Sequence, residues 1–212
     1  MARMQDAASR RFVVLDSFRG LCALSVVVFH LHILNSFTEL AFFRSAGLFV
    51  EFFFTLSGFV LCHSYARREF DLARLRRFLL SRFFRIFPLH LALLLVFSLL
   101  ALAQGGFDVG VMLAHPAIRS EWVPNFLLLQ AWLPQTDPFS FNGPAWSISV
   151  EFYIYLLFGL ILFAVAQKRL TTFALIAGVC TLCVLVGTDF VGKGGFRGIT
   201  CFFLGALAYE GW

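Results

Sequence analysis

The sequence predicts an all-α, polytopic membrane bundle of about six spans plus one interfacial or re-entrant segment. Three observations lead there. Apolar residues make up 60% of the 212 residues and charged ones 14%, against roughly 45–50% and about 25% in soluble domains. Mean hydropathy is +0.85. The apolar residues are gathered in long blocks instead of being spread at an amphipathic period, which is the pattern of lipid-facing helices. Twenty-nine phenylalanines are also far more than a soluble core of this size uses.

The net charge of +5 does not point to nucleic acid. Seven arginines (Arg67, Arg68, Arg74, Arg76, Arg77, Arg82 and Arg85) fall in one stretch between two apolar blocks. Such a cluster beside a span reads as a cytoplasmic loop facing anionic lipid. The five cysteines, Cys22, Cys62, Cys180, Cys183 and Cys201, lie in or at the edge of apolar blocks, where cysteine acts as a small hydrophobe. Cys180 and Cys183 have CxxC spacing but lack the context of a redox or zinc motif. No disulfide framework, metal site or bound cofactor is expected.

The elements follow in order. A first span runs from Val13 to Leu34; it is too long for the apolar region of a cleavable signal peptide and reads as a retained signal anchor. A second covers Ala46 to Tyr65. The basic connector from Ala66 to Arg85 is expected to lie partly as an amphipathic helix on the membrane surface. The third span begins near Pro88, whose fixed φ suits a first helical turn, and ends before Gly105-Gly106. A polar loop follows to Glu121, then a short apolar run to Leu133, then a loop from Pro134 to Pro144 broken by Pro138 and Gly143. Further spans cover Ala145 to Ala166 and Leu170 to Val186, and a last one starts near Phe196.

Parity constrains this order. With the 67–85 cluster in the cytoplasm, the N-terminus with Arg3, Arg10 and Arg11 lies there too, and the third span exits near Gln104. Lys168-Arg169 also belongs inside, so the span ending there enters from outside at Ala145. Residues 122–133 then begin and end on the outer side, and at about 12 residues are too short for a crossing that needs roughly 20. Lys193 and Arg197 fall in an outer loop, against the charge rule. The chain stops at Trp212 just after an apolar run, so residues 1–212 are expected to be one domain truncated at its C-terminus.

Ionisable groups inside spans are costly and mark function by default. Arg19 and His30 stand eleven residues apart in the first span, about 16.5 Å along a helix. Eleven steps of 100° come to three turns plus 20°, so both project from one face, with Asp16 within about 60° of Arg19. The bland alternatives are snorkelling for Arg19 and an interhelical hydrogen bond for His30; His32 points elsewhere. In the span after Pro144, Ser147, Glu151 and Tyr155 recur at i, i+4 and i+8, a polar stripe on an apolar helix. Glu151 needs a partner there, with Arg19, Arg82, Arg85 or protonated His30 available, and a structural ion pair is the alternative to a chemical role. Arg82 and Arg85, one turn apart just before Pro88, sit where a phosphate-bearing ligand would dock at the membrane surface; positive-inside topology is their competing explanation.

These motifs resemble those of the acyltransferase 3 family of bacterial membrane proteins. LDSFRGLCALSVVVFH (15–30) is similar to its opening signature, an arginine, ten residues and a histidine. VEFFFTLSGFVL (50–61) resembles its second-span motif, and FLLSRFFRIFPLHL (78–91) its Arg-x-x-Arg-Ile-aromatic-Pro motif. NFLLLQAW and PAWSISVEFYIYLL, within 125–157, resemble its Asn-Leu-Leu…Trp and Trp-Ser-x-Ser-Val-Glu…Tyr motifs, and CFFLGALAY (201–209) a later one. Many members carry a second acidic residue and a glutamine after the glutamate, where this chain has Phe152 and Tyr153. The family core has about ten spans.

The resemblance implies acyl transfer, usually of acetyl, from a thioester such as acetyl-CoA to a hydroxyl of a carbohydrate, a lipid-linked glycan or another cell-envelope acceptor. It places the protein in the bacterial inner membrane. His30 would then act as general base or transient acyl carrier. Arg19 would bind the donor or polarise its carbonyl, and Glu151 would orient or charge-stabilise the imidazole. Arg82 and Arg85 would hold the donor's phosphates, with Trp146 and Ser147 as further donor contacts. The rival class is a transporter or channel subunit using Arg19, His30 and Glu151 as a proton or substrate pathway. The lack of an internal repeat and the apolar later spans weigh against it, and a non-catalytic scaffold is weaker still.

Overall fold

The computed structural model describes residues 13–31, 33, 36–104, 110, 116–188 and 194–212, without the side chains of 13, 14, 16 and 116–119. The basic N-terminal segment, the Asp16 side chain, His32, Gly105-Gly106 and Lys193 lie outside the described residues.

The described residues form helices α1 (Val13–His30), α2 (Ala41–Arg44), α3 (Phe49–Tyr65), α4 (Leu72–Gln104), α5 (Pro116–Phe126), α6 (Ala145–Ala164), α7 (Arg169–Val186) and α8 (Gly195–Glu210), with short 3-10 turns at Phe37–Glu39, Ala46–Leu48 and Ala166–Lys168. No strand occurs among them. This is the all-α membrane architecture expected, because helices satisfy their backbone groups internally where no water can. Four stretches are long and apolar enough to cross a bilayer: Ala46–Tyr65, Leu72–Gln104, Ala145–Ala164 and Ala166–Val186; the apolar part of α1, Ser17–His30, is shorter. The chain divides into two compact units, 1–53 and 54–212.

The connector and the third span are one helix. The 33 residues of α4 run through Pro88 without interruption. Its start is set by Asp71, whose Oδ1 accepts from the Arg74 amide at 2.7 Å, an N-cap that ties down one of the orphan donors of the first turn. At about 1.5 Å per residue α4 is roughly 50 Å long, more than a hydrocarbon core of about 30 Å requires. Proline is tolerated within membrane helices because neighbouring groups re-satisfy the freed carbonyl.

Within the second unit, α4 and α6 pack antiparallel. Phe78 meets Phe158 with ring centroids 6.1 Å apart, and Phe83 meets Phe152 at 6.4 Å. Phe158, fully buried, also stacks on Phe173 of α7 at 5.8 Å and meets Phe202 of α8 edge-on at 5.5 Å. Much of the phenylalanine excess is this ring lattice. Helices α3 and α8 come into backbone contact: a Cβ on Gly58 would collide with the Phe202 carbonyl, and one on Gly205 with the Thr55 carbonyl. The glycine of Leu-Ser-Gly-Phe is thus a packing notch. Arg169 and Glu210 close the α7–α8 hairpin with an ion pair of 2.9 Å.

The 122–133 segment is no span. It contains the end of α5 and a run of turns that continues to residue 144, and several of its polar groups are tied to protein. His90 of α4, buried, donates from Nε2 to the Asn125 carbonyl at 2.7 Å. The Asn125 amide donates to the Glu121 carbonyl and to Ser140 Oγ, both at 2.8 Å, and Ser140 in turn donates to Glu121 Oε2 at 3.2 Å. Gln130 donates to the Ala145 carbonyl at 3.3 Å, and the Trp132 indole to the Ser149 carbonyl at 3.2 Å. Irregular backbone beside a membrane span needs this kind of protein shielding.

Candidate active site

In the first unit, α1 carries both Arg19 and His30, as the sequence predicts. His30 is the last residue of the helix and is exposed, while Arg19 is partly buried. The His30 Nδ1 lies 2.8 Å from the Val26 carbonyl oxygen one turn back. A carbonyl only accepts, so Nδ1 carries the hydrogen, and in the neutral ring the lone pair is on Nε2. The imidazole is also held edge-on against Phe29, with centroids 5.1 Å apart. The loop after α1 is stapled by Arg44, which donates from Nη2 to the Leu31 carbonyl at 2.9 Å and from Nε to the Thr38 carbonyl at 3.0 Å. Its guanidinium lies over Phe29, 5.8 Å from the ring centre, and pairs with Glu39 at 3.5 Å. Arg44 thus secures both the ring that flanks His30 and the chain that follows it.

In the second unit, α4 and α6 bring Glu151, Tyr155 and Arg82 together. The Tyr155 hydroxyl donates to Glu151 Oε1, so the partner the carboxylate needs is the next member of its own stripe. The Arg82 guanidinium lies 5.8 Å from the centre of the Tyr155 ring and 5.8 Å from that of Phe78. Arg82 Nη2 donates to Ser81 Oγ at 3.3 Å, whereas Arg82 Nε is buried and has no partner. Arg85 is exposed and close enough to act electrostatically on Tyr155. A cavity of about 250 Å³ opens here, lined by Leu79, Arg82, Phe83, Phe152, Tyr155 and Leu156.

Arg82 lies opposite Tyr155, nine residues before the end of α6 at Ala164, or about 13.5 Å along that helix. The N-terminal extension of α4, not foreseen from the sequence, runs its basic half alongside α6. The structure does not bring Trp146 and Ser147 to this place, since they are in the first turn of α6. The Trp146 ring packs against Phe54 at 6.4 Å and over Gly194, and Ser147 donates to the Pro144 carbonyl at 3.0 Å.

The family described as an acyltransferase domain matches residues 12–212. The chain belongs to the acyltransferase 3 family. It is 36% identical over 166 residues to Acyltransferase MdmB of Streptomyces mycarofaciens, covering 71% of this chain and 40% of that protein. It is also 38% identical over 91 residues to Protein 2 in picA locus of Rhizobium radiobacter, covering 41% of this chain and 44% of that protein. The chain thus matches less than half the length of either relative. No solved structure matches it.

The family's motifs divide by what their side chains touch. Those of α1 and α4 carry Arg19, His30, Arg82 and Arg85, whereas the Asn-Leu-Leu…Trp stretch supplies Asn125, Gln130 and Trp132 to the clamp that shields the irregular segment. Sequence reasoning missed His90, Asn125, Gln130, Ser149 and Arg44. Their signal was faint: single polar residues in apolar runs whose partners are mostly backbone carbonyls. Among the described residues no group of three or more His, Cys, Asp or Glu is placed to hold a metal.

Proposed function

We propose that the protein is a membrane O-acyltransferase that moves an acyl group from acyl-CoA to a hydroxyl of a carbohydrate or other cell-envelope acceptor. Family membership and the relative named as an acyltransferase support the reaction class. The observation that carries the reading is the His30 tautomer: Nδ1–H is engaged by Val26 O, leaving Nε2 with the lone pair that a general base requires. In the proposed step Nε2 takes the acceptor's hydroxyl proton as its oxygen attacks the thioester carbonyl. The carbon–sulfur bond breaks, and the proton passes to the departing thiolate of CoA.

Arg19 and Glu151 are the other charged groups we assign to catalysis, and Arg82 and Arg85 anchor the donor through its phosphates. We do not carry Trp146 and Ser147 forward as donor contacts, because they lie about 13 Å from Tyr155 along α6 with packing and a main-chain carbonyl as their partners. We place the protein in the bacterial inner membrane as a multi-pass protein with its N-terminus in the cytoplasm, on the parity of its basic clusters. Detergent-purified protein incubated with labelled acetyl-CoA tests the reading. Label turnover that disappears in His30→Ala is expected; turnover that is absent from the unaltered protein, or that persists in the variant, contradicts it.

A further inference from the structure

We infer that Arg44 is a positioning residue for the acyl transfer: its two-pronged grip on the chain beyond α1 holds the His30 imidazole in the tautomer that a general base needs. This rests on the reading of His30 above and adds to it a residue that lies in none of the motifs. His30 is the last residue of α1, and the final carbonyls of a helix lack partners within it. Arg44 supplies one, donating from Nη2 to the Leu31 carbonyl at 2.9 Å, and its charge meets the negative end of the helix dipole. From Nε it donates to the Thr38 carbonyl at 3.0 Å. Thr38 is fully buried, and its Oγ1 donates to the Ile33 carbonyl at 3.2 Å and accepts from the Ile33 amide at 3.4 Å. One planar guanidinium thus fastens the residue after His30 to a braced loop. The same guanidinium lies over the Phe29 ring, which meets the imidazole edge-on.

The grip reaches His30 through the Val26 bond. That bond is exposed and sits in the last turn of α1, where water competes for both partners and helix ends fray. Once the turn loosens, Nδ1 loses the carbonyl that keeps its hydrogen. The hydrogen can then sit on Nε2, which becomes a donor and no longer accepts a proton from the acceptor hydroxyl. Arg44 opposes this from two sides, by holding the backbone just beyond the turn and by holding the ring beside the imidazole. Glu39, 3.5 Å away, in turn orients the guanidinium. A lysine would supply the charge but not two N–H bonds at a fixed separation. Donor binding suits Arg44 less well, because its nitrogens are engaged by two carbonyls and its charge is met by a carboxylate.

The test compares the full chain in detergent with Arg44→Ala and Arg44→Lys. One readout is turnover of labelled acetyl-CoA. The other is nitrogen NMR of isotope-labelled histidines at a pH where the imidazole is neutral, the His30 signals being those missing from His30→Ala. In both variants the rate at saturating acetyl-CoA should fall by about 10- to 100-fold, the scale of a misplaced reacting group. The KM for acetyl-CoA should stay nearly unchanged, and the His30 signals should move from the Nδ1–H pattern toward a mixture of tautomers. Arg44→Lys keeps a cation at the helix end and should insert normally, so the outcome does not hang on whether Arg44→Ala folds. A normal rate or an unmoved tautomer in Arg44→Lys overturns the inference. So does a raised KM with an unchanged rate, which would make Arg44 a donor contact. Turnover that survives in His30→Ala contradicts the reading of His30 itself; turnover lost there but normal in Arg44→Lys contradicts only the positioning role. The NMR comparison decides the tautomer whether or not the purified chain turns acetyl-CoA over.

Discussion

The Tyr155 hydroxyl donates to the Glu151 carboxylate one helical turn away, and the Arg82 guanidinium stands 5.8 Å from the centre of the same phenol ring. A carboxylate, a phenol and a guanidinium are thereby held together partway along an otherwise apolar span. Removing the central member tests whether it organises the other two. Tyr155→Phe keeps the ring under Arg82 but takes the hydrogen bond from Glu151, and should lower stability by about 1 kcal/mol. A reduced melting temperature in detergent is the expected result, with the ring contact to Arg82 preserved. Unchanged melting would show that Glu151 is held by other contacts.

Arg82→Ala combined with Arg85→Ala should weaken donor binding more than it slows the chemical step. These contacts are felt in the ground and transition states alike. The measurement is donor affinity beside the rate at saturating donor. A double variant with normal affinity would return both arginines to a purely topological role.

Gly58→Ala should be badly tolerated. The added methyl would collide with the Phe202 carbonyl, and backbone cannot swing aside as a side chain can. Overpacking of this kind costs about 1–3 kcal/mol, so yield of folded protein and melting temperature should both fall. Gly178→Ala is the internal control, because nothing lies within 4 Å of its added Cβ. Equal behaviour of the two variants would contradict the close approach of α3 and α8.

The loops around residues 105–120 and 134–143 should both face the non-cytoplasmic side. Helix α4 leads into this region, α6 leads out of it, and the described residues between them hold no stretch long enough to span. Single cysteines at Ser120 and Gln135, in a chain freed of its native cysteines, should both react with an impermeant reagent on intact cells. A cysteine at Lys168 should not. Labelling at only one of the two loops would make 122–133 a crossing segment and reverse the later topology.

The helices were legible because apolar blocks between breakers need no partner information: Ala46 to Tyr65 and the start at Ala145 match their expected bounds. The continuity of α4 was not, because Pro88 suggested a helix start while the cap at Asp71 lay in a charged stretch that resembled a loop. That misreading also hid the pairing of Arg82 with the Tyr155 ring, which depends on how α4 runs alongside α6. The i, i+4 stripe of Glu151 and Tyr155 was legible from spacing alone. The clamp of His90, Asn125 and Gln130 was not, since most of their partners are main-chain carbonyls with no sequence signature. The spacing of Arg19 and His30 was legible, but the hydrogen bond that sets the imidazole tautomer needed coordinates.

The central claim is that His30 does chemistry. Its side chain is exposed and bonds to a carbonyl of its own helix, so His30→Ala should cost no more than about 1 kcal/mol of stability and leave the membrane-inserted protein level nearly unchanged. Loss of a general base removes at least ~10²-fold of rate. The decisive measurement is therefore envelope-carbohydrate acylation in cells carrying His30→Ala, taken together with the amount of protein in the membrane fraction. A fall of at least ~10²-fold at normal protein level is the result expected. Near-normal acylation by well-expressed variant, or loss of activity only in step with loss of protein, would contradict it.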